Sequence, residues 1–250
     1  MTSEITDVVA HRPFPPPEAP WVMEQTWTHL LFAHWRVPAA ELRRLIRPEL
    51  EIEEFGGSAW IGIVPFDTEG LRPRGLPQLP FVSRYPELNV RTYVRHDGIP
   101  GVYFLSLDSG SAVATIGART VYRLPYYNAV MHVADEGNRV RFQSRRNDGT
   151  AEFSARYWPV GEVFHATPGT LDYFLTERYC LYTGALGPRI FRVDIHHLPW
   201  PLQPAEAEID VNTMTRPIGI ELPAEPPVLH FARSQRTLIW APELVARSGA

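Results

Sequence analysis

The tightest constraint on this chain's fold is the spacing of its apolar residues. Val140, Phe142 and Ser144 alternate with Arg141, Gln143 and Arg145, the period of a β-strand with one wet face. Runs rich in aromatic and apolar residues at 21–37 and 58–66 also read as strands, the second entered through Gly56-Gly57. Runs at 88–96 and 102–107 flank Asp97-Gly98, a dipeptide suited to a two-residue hairpin. Runs at 127–134 and 139–145 flank another turn, and further strands are expected at 151–158, 189–197, 207–213, 218–222, 228–232 and 236–240. Helical signals are short. They cover 38–46, opened by Pro38, then 109–122 after Asp108, and 170–179 after Pro168-Gly169. This balance predicts a mainly-β fold, a barrel or sandwich with helices over its openings.

At 250 residues the chain suits one large domain. We expect an extended arm at 1–20, carrying Pro15-Pro16-Pro17, and one domain at 21–245. The stretch 67–86 holds four prolines and reads as the longest irregular segment, a candidate lid or binding loop. The N-terminus has no apolar core of a secretory signal, and no run approaches the ~20 apolar residues of a membrane helix. Cys180 is the single cysteine, so neither an internal disulfide nor a cysteine zinc cage is available. A cytoplasmic location, no membrane partner and no cofactor are expected.

Composition excludes some chemistry. All 24 basic residues are arginine and none is lysine. No side chain can therefore form a Schiff base with a carbonyl substrate or with pyridoxal phosphate, and the usual P-loop is absent. Arginine without lysine suits bidentate anion contacts, although GC-rich codon usage produces the same bias. A net charge of -4, with both signs interspersed, gives no field for nucleic acid. Nucleotide-binding, serine-hydrolase and metalloprotease signatures are all missing. Nine histidines invite a metal hypothesis. His29 and His34 face opposite sides of a strand, as do His196 and His197, so no spacing demands a site and no metal is expected.

Two polar groups stand out. Glu87, Asn89, Arg91 and Tyr93 share one strand face: inside a barrel this row could bind a small polar ligand, and outside it is a solvated face. Arg119, Arg123, Tyr126 and Tyr127 form a second cluster, either a carboxylate clamp or ordinary surface arginines. Glu177-Arg178-Tyr179-Cys180 ends a helix, where an ion pair with a neighbour is the default reading. The apolar C-terminal segments suit a homo-oligomer contact as well as a core.

Six segments carry a family resemblance: LLFAHW at 30–35, AWIGIVPF at 59–66, ELNVRTYV at 87–94, GVYFLSLD at 101–108, FLTERYCLYTG at 174–184 and HHLPWPLQPAEAEI at 196–209. They resemble the YqjF-like bacterial family, a domain of unknown function, over nearly the whole chain. That family is similar in fold to the acetoacetate decarboxylase superfamily. The resemblance implies a large, curved antiparallel β-barrel with a central cavity and peripheral helices. RPELEIEE at 47–54 is similar to a Pro-Glu-rich turn of the decarboxylases. Their arginine, proline and two lysines look like Arg119, Pro125, Tyr126 and Tyr127 here, so both lysines are replaced by tyrosine. Their cavity glutamate would correspond to Glu87. Their N-terminal cavity arginine has no counterpart, since 21–35 lacks arginine.

The resemblance thus implies a scaffold without its covalent catalyst, and fold alone does not carry function. One reading is an enzyme doing non-covalent acid–base chemistry on a small carboxylate or carbonyl compound. Glu87 would be its acid or base, Tyr126 or Tyr127 the oxyanion donor, and Arg91 or Arg119 the carboxylate anchor, with Asn89, Tyr93 and Arg123 as further binding groups. Arginine beside Glu87 would lower its pKa, so the two roles oppose each other. A second reading is a non-catalytic binding or sensing protein for a small anionic or aromatic metabolite. A third is a structural barrel with buried polar networks.

Overall fold

The computed structural model describes residues 5–78, 84–184 and 189–247, with backbone only at 114, 117–119 and 121. In chain order the elements are β1 (Met23–Val37), α1 (Ala39–Arg43), β2 (Glu51–Ile52), β3 (Ala59–Pro73), β4 (Arg84–His96), β5 (Ile99–Ser109), α2 (Ala112–Val121), β6 (Tyr126–Asp135), β7 (Val140–Arg146), β8 (Glu152–Pro159), α3 (Leu171–Thr176), β9 (Cys180–Thr183), β10 (Arg189–His196), β11 (Leu202–Asn212), β12 (Val228–Ile239) and β13 (Glu243–Arg247). The fold is mainly β, as the spacing predicts.

The strands close on themselves twice. The circuit β5-β6-β7-β8-β11-β12-β1-β3-β4 returns to β5 as a nine-stranded barrel. A shorter circuit runs β5-β9-β10-β12 and back through β1, β3 and β4, closed by Ile195↔Ile239 and Val102↔Leu181. The two share β12, β1, β3, β4 and β5. The β5–β6 and β5–β9 pairings are parallel, and the others among the described residues are antiparallel.

Successive side chains on a strand face opposite sides, so the shared strands serve two interiors. Leu31, Ala33, Ile61, Ile63, Leu88 and Val90 belong to a core with Phe142, Phe153 and Tyr157 from β7 and β8, which fills the nine-stranded ring. Leu30, Val64, Phe66, Glu87 and Asn89 face the other way, into an open cavity. Burial on both faces explains why the LLFAHW and AWIGIVPF segments read as continuous apolar runs. By contrast, β7 alternates buried and exposed residues throughout. The barrel and its cavity are as expected; the cavity lies within the shorter circuit, and the nine-stranded ring is packed.

Several boundaries differ from expectation. The stretch 67–86 is not one long loop: β3 runs to Pro73 and β4 starts at Arg84, pairing Asp67↔Pro86, Thr68↔Tyr85 and Glu69↔Arg84. The early part of β1 supplies the ladder on the other side, Thr28↔Asp67 to Met23↔Pro73. Non-local pairing thus overrides local proline signals. Of the remaining connection, 79–83 lie outside the described residues. The strand expected at 218–222 is absent: a tight helical turn at Arg216–Ile218 runs into the segment, and Gly219 turns left-handed at φ 66°. The two strands expected at 228–240 are one, β12, which pairs with β1 from Val228 to Ile239. Helix α3 stops at Thr176, and the cysteine begins strand β9. The hairpin at Asp97-Gly98 forms as read, with both residues at positive φ.

Candidate functional site

The cavity occupies about 440 Å³, within the range of small-molecule pockets. Strands of the shorter circuit line it, joined by α2 and by the segment from α3 into β9. Its walls are mostly apolar, with Leu30, Val64, Phe66, Phe104, Leu107 and Leu181 among them.

Strand β4 carries the polar row. Glu87, Asn89 and Arg91 all line the cavity, as their period-two spacing requires. Tyr93 continues the row but seals the wall. It is fully buried, donates to the Leu175 carbonyl at 2.6 Å, and its oxygen lies 2.6 Å from His34 Nε2.

Glu87 is the electrostatic centre. Its side chain is buried, and burial pushes its pKa up to about 8 against the opposing hydrogen bonds from Tyr126 and Asn89. The carboxyl is therefore protonated at neutral pH. Tyr126 donates its hydroxyl to Glu87 Oε2 at 3.1 Å, and burial raises its own pKa, so it stays a neutral donor.

Arg91 lies four residues further along β4 and takes no part in setting the Glu87 pKa. Strand rise separates their Cα atoms by roughly 13 Å. The opposition between acid and arginine expected from the sequence is thus relieved by distance. Arg91 Nη2 donates to the Leu175 carbonyl at 3.0 Å and to the Tyr93 hydroxyl at 3.3 Å, and its guanidinium carbon sits 5.0 Å from the Phe32 ring centre. These acceptors are neutral, and no carboxylate pairs with Arg91 among the described residues. Room for it comes from Gly62 on β3, where a Cβ would lie 2.9 Å from the His34 ring and 3.3 Å from Arg91 Cγ.

The second cluster divides. Tyr126 and Tyr127 are neighbours on β6 and point to opposite faces. Tyr126 lines the cavity, whereas Tyr127 lies under Arg146, 4.0 Å from guanidinium carbon to ring centre. Arg123 is exposed at φ 53° and sits over Phe191, away from the cavity. The Arg119 side chain lies outside the described residues. Tyr126 and Tyr127 therefore do not serve one clamp, because adjacent strand residues cannot share a face.

Sequence reasoning missed Arg178 and His197 as cavity residues. Arg178 pairs with Glu53, donates to the Phe174 carbonyl at 2.8 Å, and lies over the Tyr93 ring. Its expected ion pair exists, but at the cavity wall. His197 is buried, and desolvation pushes its pKa down to about 3, so it is neutral. Glu177 accepts from the Trp200 amide at 2.9 Å and from the Tyr179 hydroxyl, fixing that wall. With Glu87 and His197 neutral and Arg178 paired, Arg91 is the uncompensated charge of the cavity among the described residues. No group of three or more His, Cys, Asp or Glu side chains converges for a metal among them, and no helix among them is long and apolar enough to cross a membrane.

Comparison with known proteins matches this architecture. The family model DUF2071, described as an uncharacterized conserved protein, covers residues 24–236. Uncharacterized protein YqjF of Bacillus subtilis (strain 168) is 47% identical over 225 residues, 90% of this chain and 93% of that protein. Among solved structures, enduracididine biosynthesis enzyme MppR, complexed with the condensation product of pyruvate and imidazole 4-carboxaldehyde, superposes with a TM-score of 0.64. It is 14% identical, covering 93% of this chain and 94% of that one. Acetoacetate decarboxylase from Legionella pneumophila gives 0.62 at 13% identity, covering 95% and 94%. These distant likenesses establish an acetoacetate decarboxylase-like fold. By the family match and the close relative together, the chain belongs to the DUF2071 family of YqjF-like proteins.

Proposed function

We propose that the chain binds a small-molecule monocarboxylate whose carbonyl group lies away from its carboxylate, and acts on it by non-covalent proton transfer. The carrying observation is a neutral, buried Glu87 hydrogen-bonded to Tyr126 in a cavity whose uncompensated charge is Arg91. Arg91 holds the carboxylate. Protonated Glu87 gives its proton to the carbonyl oxygen while water takes a proton from the adjacent carbon, so that the ligand enolises. The carboxylate left behind keeps its bonds from Tyr126 and Asn89, which favour its charged form. Schiff-base chemistry on a lysine is excluded because the chain has none. MppR, of similar fold, is also known complexed with pyruvate, which supports oxo acids as the ligand class.

The apolar walls also suit a second reading, a protein that binds or senses such a metabolite without converting it. A thermal-shift screen of oxo acids tests binding, since a ligand at 100 times its Kd adds about 2.7 kcal/mol. Turnover of a hit, lost in Glu87→Gln while binding survives, supports the enzyme. Binding without turnover supports the sensor, and no shift with any oxo acid counts against both. Borohydride trapping with acetoacetate should leave no side-chain adduct.

A further inference from the structure

The dimensions of the cavity carry the chemistry further than a small oxo acid. Resting on the reading above, we propose that the ligand is an elongated amphipathic monocarboxylate, its carboxylate at Arg91 and its second oxygen near Glu87, joined by an apolar chain of about six carbons.

Three observations support this. The first is span. Glu87 and Arg91 sit on one face of β4 with Cα atoms roughly 13 Å apart, and both line the same cavity. Strand side chains stand roughly perpendicular to the sheet, and Arg91 donates to Tyr93, further along the same face, and to Leu175, so the two head groups keep about that spacing. About 3 Å of hydrogen bond at each end leaves roughly 7 Å for the ligand skeleton. That is a chain of five or six carbon–carbon bonds. Acetoacetate or pyruvate is too short to reach both groups.

The second is volume. A cavity of about 440 Å³ accommodates on the order of fifteen water-sized groups at roughly 30 Å³ each. A four-carbon acid leaves half of that unfilled, whereas an eight- to ten-carbon acid fills most of it.

The third is polarity. Between the acid and the guanidinium, Asn89 on β4, which bonds Glu87, is set among the apolar side chains Val64, Phe66, Phe104, Leu107 and Leu181. Such a wall rewards methylene groups and penalises hydroxyls. The apolar character continues outwards: Val113 of α2 lines the cavity and is 64% exposed, and Ile116 one turn on is 65% exposed.

The test uses the full chain and a series of straight-chain monocarboxylates from acetate to dodecanoate, with 7-oxooctanoate, pyruvate and acetoacetate alongside. Binding is read by calorimetry or thermal shift. Affinity should rise about fourfold per methylene and peak near eight to ten carbons, so that octanoate binds at least a hundredfold tighter than butanoate. 7-Oxooctanoate should exceed octanoate. Arg91→Gln should abolish the preference for octanoate over neutral octanol. Should Arg91→Gln fail to fold, Leu124→Phe, which narrows the cavity, should move the optimum to shorter chains.

Affinity that is flat or falls beyond five carbons would overturn the proposal, as would an optimum unmoved by Leu124→Phe. The two readings fail separately. Tight pyruvate or acetoacetate binding with Glu87-dependent turnover removes the long ligand and keeps the acid–base site. Tight octanoate binding, with 7-oxooctanoate neither preferred nor converted, keeps the long ligand and removes the acid–base site.

Discussion

Tyr126 donates its hydroxyl to Oε2 of Glu87 across 3.1 Å, joining the start of β6 to the polar row of β4 inside the cavity. A hydrogen bond to the charged form of a carboxylic acid favours ionisation. Tyr126 therefore restrains a pKa that burial has already pushed up to about 8. Tyr126→Phe should raise it further and cost about 1–3 kcal/mol for the unpaired buried oxygen. Carbon-13 NMR of the Glu87 carboxyl through a pH titration reads the first effect. A pKa that falls in the variant would remove Tyr126 from its assigned place.

The same group sets a pH dependence of stability. The Glu87 pKa is raised in the folded state, to about 8 from a reference value of 4.5. Stability from this group is thus full below about 4.5 and is lost as pH rises towards 8 and beyond, since only the unfolded chain releases the proton freely. Each unit of difference is worth about 1.4 kcal/mol, so the loss amounts to a few kcal/mol. Glu87→Gln, which cannot ionise, should flatten the fall in Tm between pH 5 and 9. An identical slope in wild type and variant would place the carboxyl in a wetter setting than the cavity.

Much of this was legible in the chain, and the misses have physical causes. The face shared by Glu87, Asn89 and Arg91 follows from strand spacing alone. That spacing could also have separated Tyr126 from Tyr127, had both been placed on one strand instead of compared with a lysine pair. The Asp97-Gly98 hairpin is local chemistry and reads directly. Arg178 and Glu53 are 125 residues apart, and no local pattern brings them to one cavity wall. The prolines of 67–86 look like a loop until β1 is known to supply the ladder. Two interiors sharing five strands leave only a run of apolar residues as a sequence trace, and that trace does not say which interior is hollow.

On the packed face of the shared strands, Arg146 meets Asp108 at 2.8 Å, both fully buried, and donates to Ser106 at 2.7 Å. Burial outweighs the guanidinium and holds the Asp108 pKa up to about 6. Removing one member strands a buried charge and typically costs about 3–5 kcal/mol. Arg146→Met should therefore destabilise by that order in urea unfolding. The double variant with Asp108→Leu should recover most of the loss, because apolar replacement of a buried pair is often neutral or better. A double variant as unstable as the single one would mean that the pair is net stabilising.

Gly62 on β3 lies against His34 and Arg91 and has no room for a methyl group. A Cβ there would lie 2.9 Å from two atoms of the His34 ring and 3.3 Å from Arg91 Cγ. The ring cannot easily yield, since His34 is fully buried and Nε2 lies 2.6 Å from the Tyr93 hydroxyl, which in turn holds the Leu175 carbonyl. Gly62→Ala should cost about 1–3 kcal/mol, the usual range for overpacking. It should also displace Arg91, weakening carboxylate binding more than the binding of a neutral ligand of equal length. Calorimetry with octanoate and octanol on the folded variant separates these effects. Equal loss for both ligands would mean that the methyl group narrows the cavity without moving the guanidinium.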